Sequence, residues 1–411
     1  MISGSTIVLM VGGSIAAYKS AELIRLLKKK DARVRVVLTE AGAKFITPMT
    51  LQTLAGERVR AETFSLQEEA AVGHIELADS ADAVLVAPAT ADLIAKAANG
   101  IADDLCTTVL LASTAPLVFA PAMNVNMWNN AATQENVSKL RARGALVLEP
   151  GDGFLACGWT GSGRLPEYDA ILQALGTATS PQDYAGTRVL VTAGATREHL
   201  DPIRFVSNRS SGKMGYAIAQ SAASRGADVT LISGPSALTP PAGVKTINVT
   251  TALEMHRAVM EQVGAPADLK KHQKQYVFMV AAVSDHRPAE ISSSKLKHSK
   301  DEEYSIRMVP SPDILRELGS TRESIEAQSG MPLRLIGFAA ETGEQDELIA
   351  WAQEKLTKKN SDLIVGNFAH DSFEKNTNRV WLLDRTGRQE EISTADKLLV
   401  AAKIVARARK L

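Results

Sequence analysis

Arg188-Val189-Leu190-Val191-Thr192-Ala193-Gly194-Ala195-Thr196-Arg197 decides how this chain is organised. A short valine and leucine run closing on a glycine is how a buried parallel strand enters a ligand loop. Downstream, Ser210-Ser211-Gly212-Lys213-Met214-Gly215 leads into a predicted helix ending at Arg225, and Ala227 to Ser233 reads as the next strand. The same grammar opens the chain: a strand at Ile7 to Met10, then Gly12-Gly13-Ser14, a helix over Ala16 to Lys30 and a strand over Val34 to Thr39. Two strand–helix–strand openings therefore share one chain, and 411 residues suffice for each to bury its own core.

Lys plus Arg and Asp plus Glu both number 46, so no global field favours nucleic acid or an anionic membrane. Cys106 and Cys157 are the only cysteines, too few for a disulfide framework, which fits a reducing cytoplasm. The small-residue run from Ala81 to Met123 is interrupted by Asp92, Lys96, Asp103 and Asp104, so it does not suit a bilayer. The N-terminus lacks the basic region of a signal peptide.

Strand and helix signals alternate at short intervals up to about residue 170, which predicts a parallel sheet covered on both faces. Val84–Pro88, Leu117–Pro121 and Ala145–Pro150 read as buried strands. Their following loops, Ala89-Thr90-Ala91 and Ala122-Met123-Asn124 among them, point at the edge where open α/β sheets bind ligands. The fold class expected is α/β, with two Rossmann-like three-layer domains: residues 1–175, a small polar linker at 176–187, and 188–411. A terminal hairpin around Val380 to Gly387 and a closing helix over Thr394 to Arg409 complete the second domain.

In the first half, an Asn after a buried strand can donate and accept at once, which suits Asn124 to a carboxylate or amide; the same spacing equally admits a helix cap beside core Met123, Met127 and Trp128. Gly151 to Arg164 holds too many glycines for a helix or strand and reads as a mobile flap carrying Cys157, a candidate proton donor or nucleophile. His74 is either a general base or a structural histidine.

Taken in order, Gly12 to Lys19, Thr47 to Gln52, His74-Ile75-Glu76-Leu77, Ala87 to Asp92, Pro121 to Trp128 and Leu155-Ala-Cys-Gly158 resemble the homo-oligomeric FMN-containing cysteine decarboxylases. The resemblance implies a flavodoxin-like domain with FMN held by Gly13, Ser14, Thr39 and Thr90. It makes His74 the active-site base, Asn124 the substrate clamp and Cys157 the proton donor. Flavin oxidation of the substrate thiol to a thioaldehyde would create the electron sink for loss of CO2.

In the second half, Gly194 stands alone where G-x-G-x-x-G would be needed, which disfavours NAD(P). Gly212-Lys213 is followed by Met214 in place of Ser or Thr, which rejects a Walker A loop. The polar stretch from Asp201 to Lys213 offers N–H groups to an anion at a helix N-terminus, or simply a serine cap. Asp285 falls at the ligand edge after a buried strand, available to a metal-bound triphosphate. With Lys295-Leu296-Lys297-His298, Pro310-Ser311-Pro312-Asp313, Gly337 to Thr342 and Lys355 to Asn360, this set resembles the CTP-dependent phosphopantothenate–cysteine ligases.

The whole chain, over roughly residues 5 to 405, is then similar to the bifunctional bacterial phosphopantothenoylcysteine decarboxylase/phosphopantothenate–cysteine ligases of coenzyme A synthesis. The resemblance implies CTP binding by Asp285, Lys295, Pro310, Ser311, Pro312, Asp313, Phe338, Lys355 and Lys359. It gives Arg204, Asn208, Ala281 and Ala282 to phosphopantothenate or its acyl-cytidylate, makes Asn208 and Lys295 catalytic, and places Mg2+ on the triphosphate. It also implies a dodecamer built from trimers of the first domain and dimers of the second. Two departures stand out: His298 fills the last place of a usual Lys-x-Lys-Lys loop, and Arg209 stands where histidine is usual. The rival readings are an NAD(P)-dependent flavin reductase and a non-catalytic flavin-binding subunit.

Overall fold

Apolar runs bounded by glycine and proline form the strands, and amphipathic segments between them form the helices. A computed structural model describes residues 2–60, 73–266, 271–297, 304–342, 344–372 and 375–411. His298 lies outside the described residues. The chain divides into two units, Met1–Pro181 and Gln182–Leu411.

The first unit begins with β1 (Thr6–Val11), a 3-10 turn (Ile15–Lys19), α1 (Ser20–Lys29) and β2 (Arg33–Leu38). It continues through α2 (Glu40–Ala43), α3 (Pro48–Ala55), α4 (Gly73–Asp79), β3 (Ala83–Ala89), α5 (Ala91–Asn99) and α6 (Leu105–Ala112). Then come β4 (Leu117–Pro121), α7 (Val125–Asn129), α8 (Ala131–Ala142), β5 (Leu146–Val147), β6 (Gly151–Phe154), β7 (Thr160–Arg164) and α9 (Tyr168–Ala178). The sheet is parallel in the order β2-β1-β3-β4-β5, the flavodoxin-like arrangement, whose ligand crevice opens between β1 and β3. Alternate β1 residues face two cores: Ile7, Leu9 and Val11 pack with α1, α3 and α9, whereas Val8 and Met10 pack with α4, α5, α6 and α8.

Three expectations change here. The helix over Ala16 to Lys30 starts as a 3-10 turn, because Ser14 caps Ala16 before the α-helical pattern sets in at Ser20. Of Ala145–Pro150, only Leu146 and Val147 pair as strand. The glycine-rich flap is an antiparallel hairpin, β6 with β7. Gly153 at φ 142° and Gly161 at φ 153° adopt backbone that side-chain-bearing residues rarely enter, so the glycines make the hairpin rather than preclude it.

The second unit opens with β8 (Thr187–Ala193), β9 (Arg197–His199), β10 (Phe205–Ser207), α10 (Lys213–Ser224), β11 (Asp228–Ser233), β12 (Lys245–Asn248) and α11 (Ala252–Gly264). Next are β13 (Lys274–Met279), β14 (His286–Pro288), β15 (Met308–Pro310), α12 (Ile314–Ser320), α13 (Arg322–Ser329), β16 (Leu333–Glu341) and α14 (Gln345–Lys358). It closes with β17 (Leu363–Phe368), α15 (Ala369–Ser372), β18 (Thr377–Asp384), β19 (Gln389–Asp396) and α16 (Lys397–Ala408). Eight strands run in the order β12-β11-β8-β13-β16-β17-β18-β19, and only β18 is antiparallel to its neighbours. Val189, Val191, Tyr276 and Phe278 face α10 and α16; Leu190, Val277 and Leu335 face α11 to α14.

The stretch read as linker, 176–187, is largely ordered structure. Residues 176–178 finish α9, and Tyr184 is fully buried in the second unit with its hydroxyl donating to Val405 O at 2.8 Å. His272 and Gln275, polar residues just before and within β13, are buried.

Candidate functional site

In the first unit, the loops after β1, β2 and β3 crowd together at the carboxyl edge. A Cβ on Gly12 would lie 2.7 Å from Pro88 O, and one on Gly13 would run into Ala41. Only glycine therefore permits this approach. Ser14 Oγ accepts from Ala16 N (3.3 Å), Thr39 Oγ1 from Gly42 N (2.9 Å) and Thr90 Oγ1 from Leu93 N (3.3 Å). Each expected flavin-binding hydroxyl thus caps a helical turn on this edge. Such first turns retain unpaired N–H groups and the positive end of the helix dipole, which suits a phosphate. The residues present fit an FMN phosphate.

Asn124 caps a helix and holds a thiol at once. Its Oδ1 accepts from Asn126 N at 2.8 Å and caps α7, while its Nδ2 donates to Cys157 Sγ at 3.1 Å. Trp128 is core, but Met127 is half exposed. Cys157 sits in the turn of the β6–β7 hairpin, which Met123 N ties to the β4 loop through Gly163 O at 3.0 Å. The Asn124 amide, and then the Trp159 backbone N–H, hold the exposed Cys157 thiol below its ordinary value. Cys106 is the opposite case: burial in α6 pushes its thiol well up. Iodoacetamide at neutral pH is expected to alkylate Cys157 and spare Cys106, and Asn124→Ala should slow that alkylation. Peptide mass mapping over time measures both; equal labelling of the two cysteines would contradict this assignment.

His74 is the second residue of α4, and no hydrogen bond of its imidazole is found among the described residues. Its helix is anchored by cations the sequence reading passed over. Arg60 donates to Gly73 O (3.1 Å) and Glu76 Oε2 (3.1 Å), and Arg35 donates to Glu76 Oε1 (2.7 Å) and Ser80 Oγ (2.7 Å). Hydrogen bonds from Arg35 and then Arg60 hold the Glu76 carboxyl below its usual range. The available signal was Arg35 itself, a charge among the apolar residues of β2 that follow the exposed Arg33.

In the second unit, a cleft of about 350 Å³ lies along the carboxyl edge. It gathers Ala281, Ala282, Asp285, Ser311, Pro312, Asp313, Phe338, Lys355 and Lys359, nine of the expected positions. Lys355 pairs with Glu341 (2.8 Å) and Lys359 with Asp313 (3.3 Å), whose carboxylate also caps α12 through Arg316 N (3.1 Å). Ser311 N donates to Asp285 O (2.8 Å), yet the buried Ser311 Oγ has no partner, so this wall has a polar group left for a ligand. Asn208 Nδ2 donates to Ala282 O at 3.1 Å, which sets the β10 end beside the β13 loop.

Arg204, Lys295, Asn208 and Pro310 do not line the cleft. Arg204 is committed to Asp201 Oδ2 (2.6 Å) and Leu296 O (2.6 Å). The fully buried Asp201 also accepts from the N–H groups of Ile203, Arg204 and Leu296. Burial alone would raise its carboxyl; those N–H groups and the Arg204 guanidinium outweigh burial and hold it well below the usual range. Arg204 and Asp201 thereby fasten the segment that carries the exposed Lys295. Lys213, which closes the polar stretch from Asp201, also lines the cleft, as do Asn367, Asn378 and Lys397, which the sequence reading passed over.

The first unit matches the Flavoprotein family over residues 1–179, and the second matches the DNA/pantothenate metabolism flavoprotein C-terminal domain over residues 184–411. The class is a flavoprotein domain joined to a pantothenate-metabolism domain. The coenzyme A biosynthesis bifunctional protein CoaBC of Haemophilus influenzae is 43% identical over 408 residues, which is 98% of this chain and 97% of that protein. The CoaBC of Mycobacterium tuberculosis is 42% identical over 408 residues, 97% of this chain and 95% of that protein. A solved C-terminal domain of CoaBC covers 56% of this chain and 97% of its own, with 35% identity and a TM-score of 0.44. The chain belongs to the CoaBC family of bifunctional coenzyme A biosynthesis enzymes.

Proposed function

We infer that the second unit joins cysteine to 4′-phosphopantothenate with CTP, and that the first unit decarboxylates the product to 4′-phosphopantetheine. The observation that carries this reading is the Asn124–Cys157 hydrogen bond, a clamp and a proton source in one crevice. The nucleotide-sized cleft in the other unit supports the ligase half.

In the ligase, Phe338, Lys355, Lys359 and the Pro310–Asp313 loop would hold the nucleoside, and Asp285 would share the Mg2+ of the triphosphate. Among the described residues, no group of three or more His, Cys, Asp or Glu side chains could hold a metal. A carboxylate oxygen attacks the α-phosphorus, the bond to the bridging oxygen breaks, and pyrophosphate departs with the electron pair. Lys295 stabilises the charge that develops. Asn208, with Ala281 and Ala282, holds the acyl-cytidylate while the cysteine amine attacks its carbonyl and CMP leaves. Arg204 orients that site through Asp201 and the Lys295 segment.

In the decarboxylase, FMN, held by Gly13, Ser14, Thr39 and Thr90, supplies the two-electron oxidation of the substrate thiol and its later reversal. His74 serves as the base, the Asn124 carboxamide clamps the carboxylate, and Cys157 delivers a proton to carbon after CO2 leaves. The protein is proposed to be cytoplasmic and to assemble from trimers of the first unit and dimers of the second; among the described residues no helix is long and apolar enough to cross a membrane.

The test is incubation of the full chain with phosphopantothenate, cysteine and CTP, read by pyrophosphate release and by mass for loss of CO2. A colourless protein that cannot be reconstituted with FMN, or ligation without CTP, would refute the respective half.

A further inference from the structure

Beneath Asn208 and Ala282, three segments of the second unit meet at one residue that the functional reading leaves without a part. Thr196, between β8 and β9, is fully buried and does not line the cleft. Each of its polar groups is engaged. Its N–H donates to Ala282 O (3.4 Å), its Oγ1 accepts from Ser284 N (3.1 Å) and its O accepts from Ser207 Oγ (2.7 Å). Thr196 thereby joins its own segment to the loop after β13 and to the end of β10.

In the β9–β10 hairpin Ser207 pairs with Arg197, so one step further the register sets Asn208 opposite Thr196. Asn208 Nδ2 and Thr196 N both donate to Ala282 O. The elements around this point have anchors of their own. Thr192 Oγ1 accepts from Val280 N (3.0 Å) and Ala281 N (3.1 Å), which keeps the start of the loop on β8. Asp285 O accepts from Ser311 N (2.8 Å), which ties the end of the loop to Pro310–Asp313. Glu198 Oε1 accepts from Ala252 N (3.0 Å), which fastens β9 to α11. What Thr196 adds is the spacing between Asn208 and Ala282 to Ser284. Its hydroxyl is costly to replace, because the Ser284 N–H would lose its acceptor.

We propose that Thr196 is a positioning residue for the second half of the ligase reaction, holding Asn208 against Ala282 while the cysteine amine attacks the acyl-cytidylate. This rests on the ligase reading of the second unit. In that step the amine nitrogen bonds to the acyl carbon, and the bond from that carbon to the phosphate oxygen breaks. CMP leaves with the electron pair, and the amine gives a proton to water. Misplacing a substrate-holding group by about 1 Å can cost about a hundredfold in such a step. The first half of the reaction is spared, since Ala281 and Asp285 keep the anchors that Thr192 and Ser311 provide.

Quenched single-turnover mixtures of the full chain test the assignment, with phosphopantothenate and CTP mixed first and cysteine added afterwards. In Thr196→Val, pyrophosphate release is expected within about twofold of wild type, whereas consumption of the acyl-cytidylate by cysteine slows on the order of tenfold or more. Thr196→Ser keeps the acceptor for Ser284 N and should restore most of that rate. Ser207→Ala, at an exposed position, removes the tie to Thr196 O without touching the core and should slow the same step by about threefold. Equal slowing of both halves in Thr196→Val, an unchanged second half in both Thr196→Val and Ser207→Ala, or no recovery in Thr196→Ser would overturn the role. Should Thr196→Val not fold, Ser207→Ala and Thr196→Ser decide. A wild-type chain that releases no pyrophosphate with CTP would overturn the ligase reading, and the positioning role with it.

Discussion

Lys295→Gln is expected to lower CTP-dependent pyrophosphate release by about a hundred- to a thousandfold and to leave conversion of added phosphopantothenoylcysteine to phosphopantetheine unchanged. The separation follows from the two-unit division of the chain, since Lys295 belongs wholly to the second unit. The substitution does not disturb the segment's anchorage. Asp201 and Arg204 hold it through the backbone N–H and carbonyl of Leu296, and the Lys295 side chain is exposed. On the proposed role of Lys295, what would be lost is the point charge that stabilises the transferring phosphoryl group, which a neutral carboxamide cannot replace. A pyrophosphate-coupled assay beside a CO2 assay on the preformed substrate gives both rates. Normal pyrophosphate release would remove Lys295 from its assigned role.

Cys157→Ser is expected to release CO2 yet cut phosphopantetheine formation by about a hundredfold or more, with an oxidised, decarboxylated species accumulating. Serine keeps an oxygen within reach of Asn124 Nδ2, so the hairpin retains its tie and α7 its cap. The hydroxyl is a much weaker acid than a thiol already held below its ordinary value by Asn124 and Trp159. Protonation at carbon is therefore the step that fails. Mass analysis of a single-turnover mixture distinguishes the trapped species from product, and full product formation would exclude Cys157 as the donor.

The two sheets were legible because their strands are continuous apolar runs ending in glycine or proline, and the order of the loops followed from them. The β6–β7 hairpin was not, because Gly153 and Gly161 use backbone conformations that ordinary strand composition does not advertise. Asn124 and Cys157 were nominated by type and position; their contact at 3.1 Å needed the fold of a hairpin onto a distant loop. Arg204 looked like a free substrate cation, and the reason it is engaged is a buried carboxylate three residues away, in a stretch that reads as plain polar loop. Lys397 was read as part of a closing helix. Its place in the cleft depends on β18 and β19: two successive reversals restore the parallel direction, so α16 begins again at the ligand edge.

The clasp around Tyr184 bears on the order in which the chain matures on the ribosome. Tyr184 donates to Val405 O, and Arg409 donates to Asp183 O at 2.6 Å, so residues more than 220 positions apart in sequence close the second unit. The first unit has all of its strands once residue 164 has emerged. The ligase unit must wait for α16, and until then Tyr184 and the Tyr276 ring, tilted against it with centroids 5.0 Å apart, lack their cover. Synthesis thus delivers the decarboxylase first, although the reaction it performs comes second.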